Sequence, residues 1–169
     1  MPYRKSSTRR TQQTVRVNGV RTTITTNPNG KVTTKPALPE EWELQAEQIK
    51  RLRAMPEHGK TFLLAGDQNA ARRGPKARSQ AIAAGMTAGE PDVRVYLLGA
   101  RVAFIENKVG EAALLPSQVT RHRALKSLGH TVAVVRAINR SDAADQAERL
   151  VRTWITSNDN SSSPSTSVA

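Results

Sequence analysis

Residues 93–108, Val-Arg-Val-Tyr-Leu-Leu-Gly-Ala-Arg-Val-Ala-Phe-Ile-Glu-Asn-Lys, constrain the fold more than any other stretch of this chain. Val93 to Leu98 reads as one strand and Arg101 to Asn107 as a second. Gly99-Ala100 turns the chain between them, so the pair is a β-hairpin. A two-residue turn sets Asp92, just before the first strand, opposite residue 107 at the end of its partner. The Asp92 side chain then approaches that of Glu106. Side chains two apart on a strand share a face, so Glu106 and Lys108 project together.

The surrounding pattern alternates helix and strand. Pro36 and Pro39 precede a helix expected from Glu40 to Ala54. Its acidic first turn and its basic end (Lys50, Arg51, Arg53) suit the helix dipole, and Trp42, Ile49 and Leu52 are its expected buried groups. Lys60 to Ala65 reads as a buried strand. A polar loop leads to a short helix over Lys76 to Ala84. Ser117 to Leu128 reads as an amphipathic helix with Val119, Leu125 and Leu128 inward and Gly129 as terminator. Thr131 to Ala137 is a strand. A last helix, capped by Ser141, runs from Asp142 to Thr156 with Ala144, Ala147, Leu150, Val151 and Trp154 on one face. The order predicts a single-domain α/β sandwich with a mixed sheet over residues 40–157.

The first 39 residues differ. They hold eight Lys or Arg and no acidic side chain. They are rich in Thr and poor in large apolar groups. Asn18-Gly19 and Asn27-Pro28-Asn29-Gly30 are turn signals between segments of β propensity. A basic arm with one or two hairpins is expected at 1–39, and a disordered Ser-rich tail at 158–169.

The net charge of +12 points to a polyanionic partner, nucleic acid or an anionic membrane surface, or to a merely solvated basic face. The absence of cysteine excludes a disulfide framework and thiolate metal sites. His58, His122 and His130 show no metal-ligand spacing. His122 reads as a surface group without a catalytic role. No apolar run has the length of a signal peptide core or a membrane span. A soluble, cytoplasmic protein is expected, with DNA as its polyanion.

Two adjacent carboxylates repel each other and gain by sharing a hard divalent cation. Mg²⁺ needs only one or two protein carboxylates when a substrate phosphate completes its shell. A neighbouring lysine can orient or deprotonate an attacking water, or neutralise charge on phosphorus. Asp92, Glu106 and Lys108 together fit phosphodiester hydrolysis. Alone, Glu-x-Lys is as well explained by a solvated ion pair, and Pro-Asp by a turn.

The flanking blocks add specificity. Gly85-Met86-Thr87-Ala88-Gly89-Glu90-Pro91-Asp92, Gly99 through Lys108, Leu114-Leu115-Pro116-Ser117-Gln118 and Leu128 through Val135 resemble the VRR-NUC family, a branch of the PD-(D/E)xK nuclease superfamily. The resemblance spans about residues 40–156. It implies a restriction-endonuclease-like αβββαβ core and hydrolysis of DNA with Mg²⁺ or Mn²⁺ and no small-molecule cofactor. It assigns Asp92, Glu106 and the backbone carbonyl of Asn107 to the metal, Lys108 to the water, and Gln118 to positioning the water or a phosphate. It also implies a glutamate on the first helix. Glu41, in Glu41-x-x-x-Gln45, fits the spacing best, with Glu43 and Glu47 as substitutes, and Glu41 reads equally as a helix-dipole residue. Asn107 departs from the apolar residue usual at its position.

Arg72, Arg73, Lys76 and Arg78 upstream of the hairpin, Arg121 beside Gln118, and Arg9 and Arg10 in the arm are expected phosphate contacts. The arm reads alternatively as a tail that pairs with another protein. The resemblance further implies a stand-alone homodimer of the phage or bacterial type that cuts branched DNA such as flaps or four-way junctions. The competing class is a basic nucleic-acid-binding or virion-associated protein on the same fold that does not cut.

Overall fold

Asn18 and Gly19 both take positive φ, 48° and 79°, the left-handed pair that a two-residue hairpin turn requires. They join β1 (Thr11–Val17) to β2 (Val20–Thr26), with Val17 opposite Val20. A turn over 27–31 returns the chain as β3 (Val32–Pro36), giving an antiparallel sheet of order β1-β2-β3. This register puts Val15, Val17, Val20, Ile24 and Val32 on one face. Arg16, Arg21, Lys35 and four threonines take the other. The computed structural model describes residues 9–67 and 74–159, and the chain divides into two units, Met1–Leu38 and Pro39–Ala169.

The second unit follows the expected order of elements. It runs α1 (Glu41–Arg53), β4 (Phe62–Gly66), α2 (Pro75–Ala83), β5 (Val93–Leu97), β6 (Arg101–Val109), α3 (Pro116–Ser127), β7 (Thr131–Ala137) and α4 (Arg140–Asp159). The sheet order is β4-β5-β6-β7. β4, β5 and β6 are antiparallel neighbours, whereas β7 lies parallel to β6. A parallel partner requires a crossover, and α3 supplies it. Leaving α2 aside, this is the αβββαβ core, a mixed sheet flanked by helices. Among the described residues no helix is long and apolar enough to cross a membrane.

The core is split by the sheet. On one side Leu44 and Leu52 of α1 and Ala143, Ala147, Val151 and Trp154 of α4 pack on Val93, Val95, Ala103, Ile105 and Val135. On the other, Leu125 of α3 packs on Phe104 and Val132. β6 lies between β5 and β7 and is covered on both faces, so its end is buried whatever residues stand there.

Several sequence expectations need correction. The β5–β6 turn has three residues, 98–100, because Leu97 already pairs with Arg101; Gly99 and Ala100 take φ of 72° and 57° within it. Asp92 therefore stands level with Glu106, not with residue 107. β4 pairs only with β5, so it is an edge strand with Leu63 exposed rather than a buried one. The α4 cap is Asn139, whose Oδ1 accepts the Asp142 N–H at 2.8 Å; Ser141 lies inside the helix. Trp42 is 62% exposed, and Val119 and Leu128 also face out. The last three share one cause. α1 and α3 turn partly polar faces inward, Gln48 with Leu44 and Leu52, and His122 with Leu125, and the apolar residues off those faces lose their cover.

Gln48 and Asn107 are both fully buried and meet at 2.7 Å, Gln48 Nε2 donating to Asn107 Oδ1 and, at 3.2 Å, to the Ala143 carbonyl. This polar contact ties α1 to β6 and α4, and it occupies the position where an apolar residue was expected in Glu-x-Lys. Removing one amide strands the other in the core, whereas removing both leaves no orphan. Gln48→Leu and Asn107→Leu are each expected to lower stability by about 1–3 kcal/mol. Combining Gln48→Leu with Asn107→Leu should cost clearly less than the sum. A urea-unfolding double-mutant cycle with strictly additive losses would refute the coupling.

Candidate active site

Glu106, Asn107 and Lys108 end β6 with exposures of 1%, 0% and 3%. Strand alternation sends Asn107 toward α1 and α4, and Glu106 and Lys108 to the face that carries α3. Glu106 Oε1 receives Lys108 Nζ at 2.9 Å and a short hydrogen bond from Gln118 Nε2. Among the described residues Glu106 Oε2 has no hydrogen-bond partner, and neither does His122 Nε2, which lies 3.5 Å away. Lys108 Nζ also reaches Glu41 Oε1 of α1 at 2.8 Å. The ammonium thus bridges two carboxylates from different elements.

Asp92 enters just ahead of β5. Its Oδ2 accepts the backbone N–H of Asn107 at 2.7 Å. Its carbonyl accepts Gln45 Nε2 at 2.8 Å and the Asp67 N–H at 2.7 Å. The approach to Asp92 is shaped by Gly89, which has φ +82°, and a Cβ there would lie 2.3 Å from the Ser117 carbonyl. Only glycine permits that contact with the start of α3. Glu90 next to it pairs with Arg121 at 2.7 Å and Arg94 at 3.3 Å. Gly89 and Glu90 hold the Asp92 segment against α3, which presents Gln118.

Burial pushes the Glu106 carboxyl up to about 7, and the charge of Asp92 adds to this against the opposing pull of Lys108. Burial also raises Asp92, partly offset by the Asn107 N–H, with Glu41 raising it further. For Lys108 burial works downward, but the hydrogen bonds to Glu41 and Glu106 outweigh it and hold the ammonium above its ordinary value. His122 is lowered by burial and by Lys126 and Lys108. Its contact with Glu106 therefore involves a neutral ring, not an ion pair.

Of the three glutamates considered for α1, Glu41 reaches the cluster. Glu43 turns back to accept the Glu40 N–H at 2.9 Å and pairs with Arg140, and Glu47 pairs with Lys50 at 3.5 Å. Asp92, Glu106, Lys108, Gln118 and Glu41 are thus brought together. Arg121 is not turned freely outward, since it is paired with Glu90. Lys76 and Arg78 are exposed on α2, and Arg9 and Arg10 are exposed ahead of β1. Arg72 and Arg73, with the Ser-rich tail, fall outside the described residues. His122 is buried rather than a surface group. Its spacing of four from Gln118 was the signal, since both then share a helix face.

The two strand carboxylates fit a small divalent ion that also takes ligands from substrate and water. Glu106 Oε2 is a buried acceptor without a donor, and Asp92 has one oxygen beyond the one bound to Asn107. Among the described residues no three or more His, Cys, Asp or Glu form a complete cage, so any ion there needs further ligands.

No family model matches the sequence, and no curated protein matches it. Among solved structures, the chain is similar to one described as "VRR_NUC domain", with 20% identity and a TM-score of 0.43 over 68% of this chain and 96% of that one. It is also similar to one described as "VRR_NUC domain protein", with 18% identity and a TM-score of 0.47 over 66% of this chain and 88% of that one. Likeness at this level carries no chemistry, and what the site does is read from its own residues.

The raised Glu106 pKa has a consequence for stability. Between about 4.5 and about 7 the metal-free folded protein holds a proton that the unfolded chain has released. Its stability should therefore fall as pH rises through that window, by on the order of 2–3 kcal/mol. Glu106→Gln should remove this fall. Urea unfolding in EDTA across the window tests it, and equal pH slopes for the two proteins would contradict the assignment.

Proposed function

We propose that this chain is a metal-dependent DNA endonuclease that hydrolyses phosphodiester bonds. The observation that carries the reading is the cluster at the end of the sheet, where Glu106 and Glu41 pair with Lys108, the one buried ammonium among the described residues, and Asp92 lies within its electrostatic reach. With all three ionised, these carboxylates against one ammonium would leave a deficit of positive charge that a divalent cation would offset.

In this reading Asp92 and Glu106 hold Mg²⁺ or Mn²⁺, with the Asn107 carbonyl as a third ligand. The ion supplies charge stabilisation at the phosphate when bound. Lys108, kept protonated by its two carboxylates, donates hydrogen bonds rather than acting as a base. It is suited to orient the attacking water and to balance charge developing on phosphorus. Glu41 fixes the lysine from α1. Gln118 steadies Glu106 while its own Oε1 accepts the Leu115 N–H at 2.9 Å. The water oxygen bonds to phosphorus and gives up a proton to solvent, the bond from phosphorus to one sugar oxygen breaks, and that oxygen takes up a proton from solvent as it leaves. Lys76, Arg78 and the basic N-terminal unit supply phosphate contacts that carry no sequence information.

The finer reading is a cytoplasmic homodimer acting on branched DNA, flaps or four-way junctions. It rests on the resemblance of the sequence blocks, and a two-fold pair of sites suits a symmetric junction. The test is cleavage of end-labelled linear, flap and four-way DNA with Mg²⁺, Mn²⁺ or EDTA. Wild-type protein should cut only with metal, and Lys108→Ala should be slower by at least ~100-fold. Identical behaviour of the two proteins on every substrate would leave a nucleic-acid-binding protein without cleavage.

A further inference from the structure

We propose that α1 carries, beside the carboxylate cluster, a binding site for an unpaired nucleobase of the DNA strand, with Trp42 as its stacking platform. The proposal rests on the nuclease reading and narrows its substrate class.

Trp42 is the starting point. The chain has two tryptophans. Trp154 is buried in the core, while Trp42 is 62% exposed. An exposed, ordered tryptophan calls for an explanation that a scattered surface leucine does not. The ring is not loose, since its Nε1 donates to Glu40 Oε2 at 2.7 Å. Trp42 lies two residues before Leu44, about 200° round the helix from it, so core packing does not explain its presence.

What Trp42 faces is a cleft. One wall is a stripe of α1, Trp42, Ala46, Ile49 and Arg53, at helical spacing. The other includes Gly66, Asp67 and Asp92, and Gln45 and Glu41 also line the space. Glu41 and Asp92 belong also to the candidate active site, so the cleft is continuous with it. Gly66 keeps the far wall low, since even a Cβ there would meet Gln45 Nε2 at 3.0 Å.

The chemistry of these walls selects the occupant. Four carboxylates, Glu40, Glu41, Asp67 and Asp92, line the space, with Arg53 the one cation among its described lining residues and Asp67 paired with Arg94 at 2.7 Å, which disfavours a phosphate. A flat, neutral group with N–H donors is favoured. It stacks on the indole, lies along Ala46 and Ile49, and offers its donors to the carboxylates. A nucleobase has these properties, and the phosphate next to it is carried toward Asp92 and Glu106. A base inside a duplex has both faces stacked and its donors paired, so the cleft takes an unpaired one. The substrate then has a single-stranded or splayed nucleotide adjacent to the cut.

The test is binding in EDTA, where no cleavage is read. A short thymidine oligonucleotide should quench the emission of the wild-type protein, and Trp42→Ala should lose that quenching. Trp42→Ala should bind the oligonucleotide and a flap roughly 5- to 150-fold more weakly, yet bind blunt duplex almost as wild type does. Trp42→Phe should restore most of the affinity. The unfolding midpoint should not move for any of these variants, because the ring is exposed. Equal affinity of wild type and Trp42→Ala for the oligonucleotide would overturn the proposal. So would tryptophan emission that shifts with protein concentration in the absence of DNA, which would assign the ring to an interface between two copies. Failure of the Lys108→Ala cleavage comparison with quenching intact would remove the nuclease reading and leave the base site.

Discussion

The buried end of β6 is the constraint on which the second unit depends. A central strand covered on both faces buries its last residues, and here those are a carboxylate, an amide and an ammonium. Buried charge persists only when it is paired and hydrogen-bonded. Each surrounding element contributes a partner: Glu41 and Gln48 from α1, Gln118 from α3, and the Asp92 carboxylate from the segment before β5, which caps the Asn107 N–H. The polar groups set how the helices sit on the sheet as much as the apolar contacts do. α1 shows this most clearly. Glu41, Gln45 and Gln48 lie along its inner side and reach, in turn, Lys108, the Asp92 carbonyl and Asn107.

The same fact explains what could and could not be read from the sequence. Strand order, helix order and the meeting of Asp92 with Glu106 follow from apolar runs, turn signals and period-two alternation, and these are local. An apolar-inside rule misplaces the inward faces of α1 and α3, because it ranks Trp42, Val119 and Leu128 above Gln48 and His122. That ranking holds where a helix covers ordinary core. It fails where the helix covers a polar strand end, since Gln48 donates to the Oδ1 of Asn107, fifty-nine residues away in sequence. No window along the chain contains both. The one-residue error in the hairpin register has a local cause. Ala100 adopts φ +57°, a conformation that its residue type does not advertise.

The N-terminal unit follows a different logic. Its register sorts a Thr-rich sequence into an apolar face and a basic one. Arg16 stands directly opposite Arg21 in that register, a juxtaposition of like charge that ordinarily costs stability in a sheet. Three strands with an apolar face are about the minimum for independent stability, so the cost of that like-charge pair matters. An anion on the basic side would offset that repulsion.

The protonation of the cluster bears on how a cation would act there. In the metal-free protein Lys108 already serves as the internal counter-ion, bridging Glu41 and Glu106, and Glu106 still titrates near 7. A site that needed only this ammonium would hold Glu106 ionised well below neutrality. The shortfall means that folding alone does not stabilise the charged carboxylate, and that a second positive charge would be bound partly at the expense of a proton. Occupancy would then rise with pH up to the Glu106 value and couple to stability, since an ion that binds the folded chain alone stabilises it.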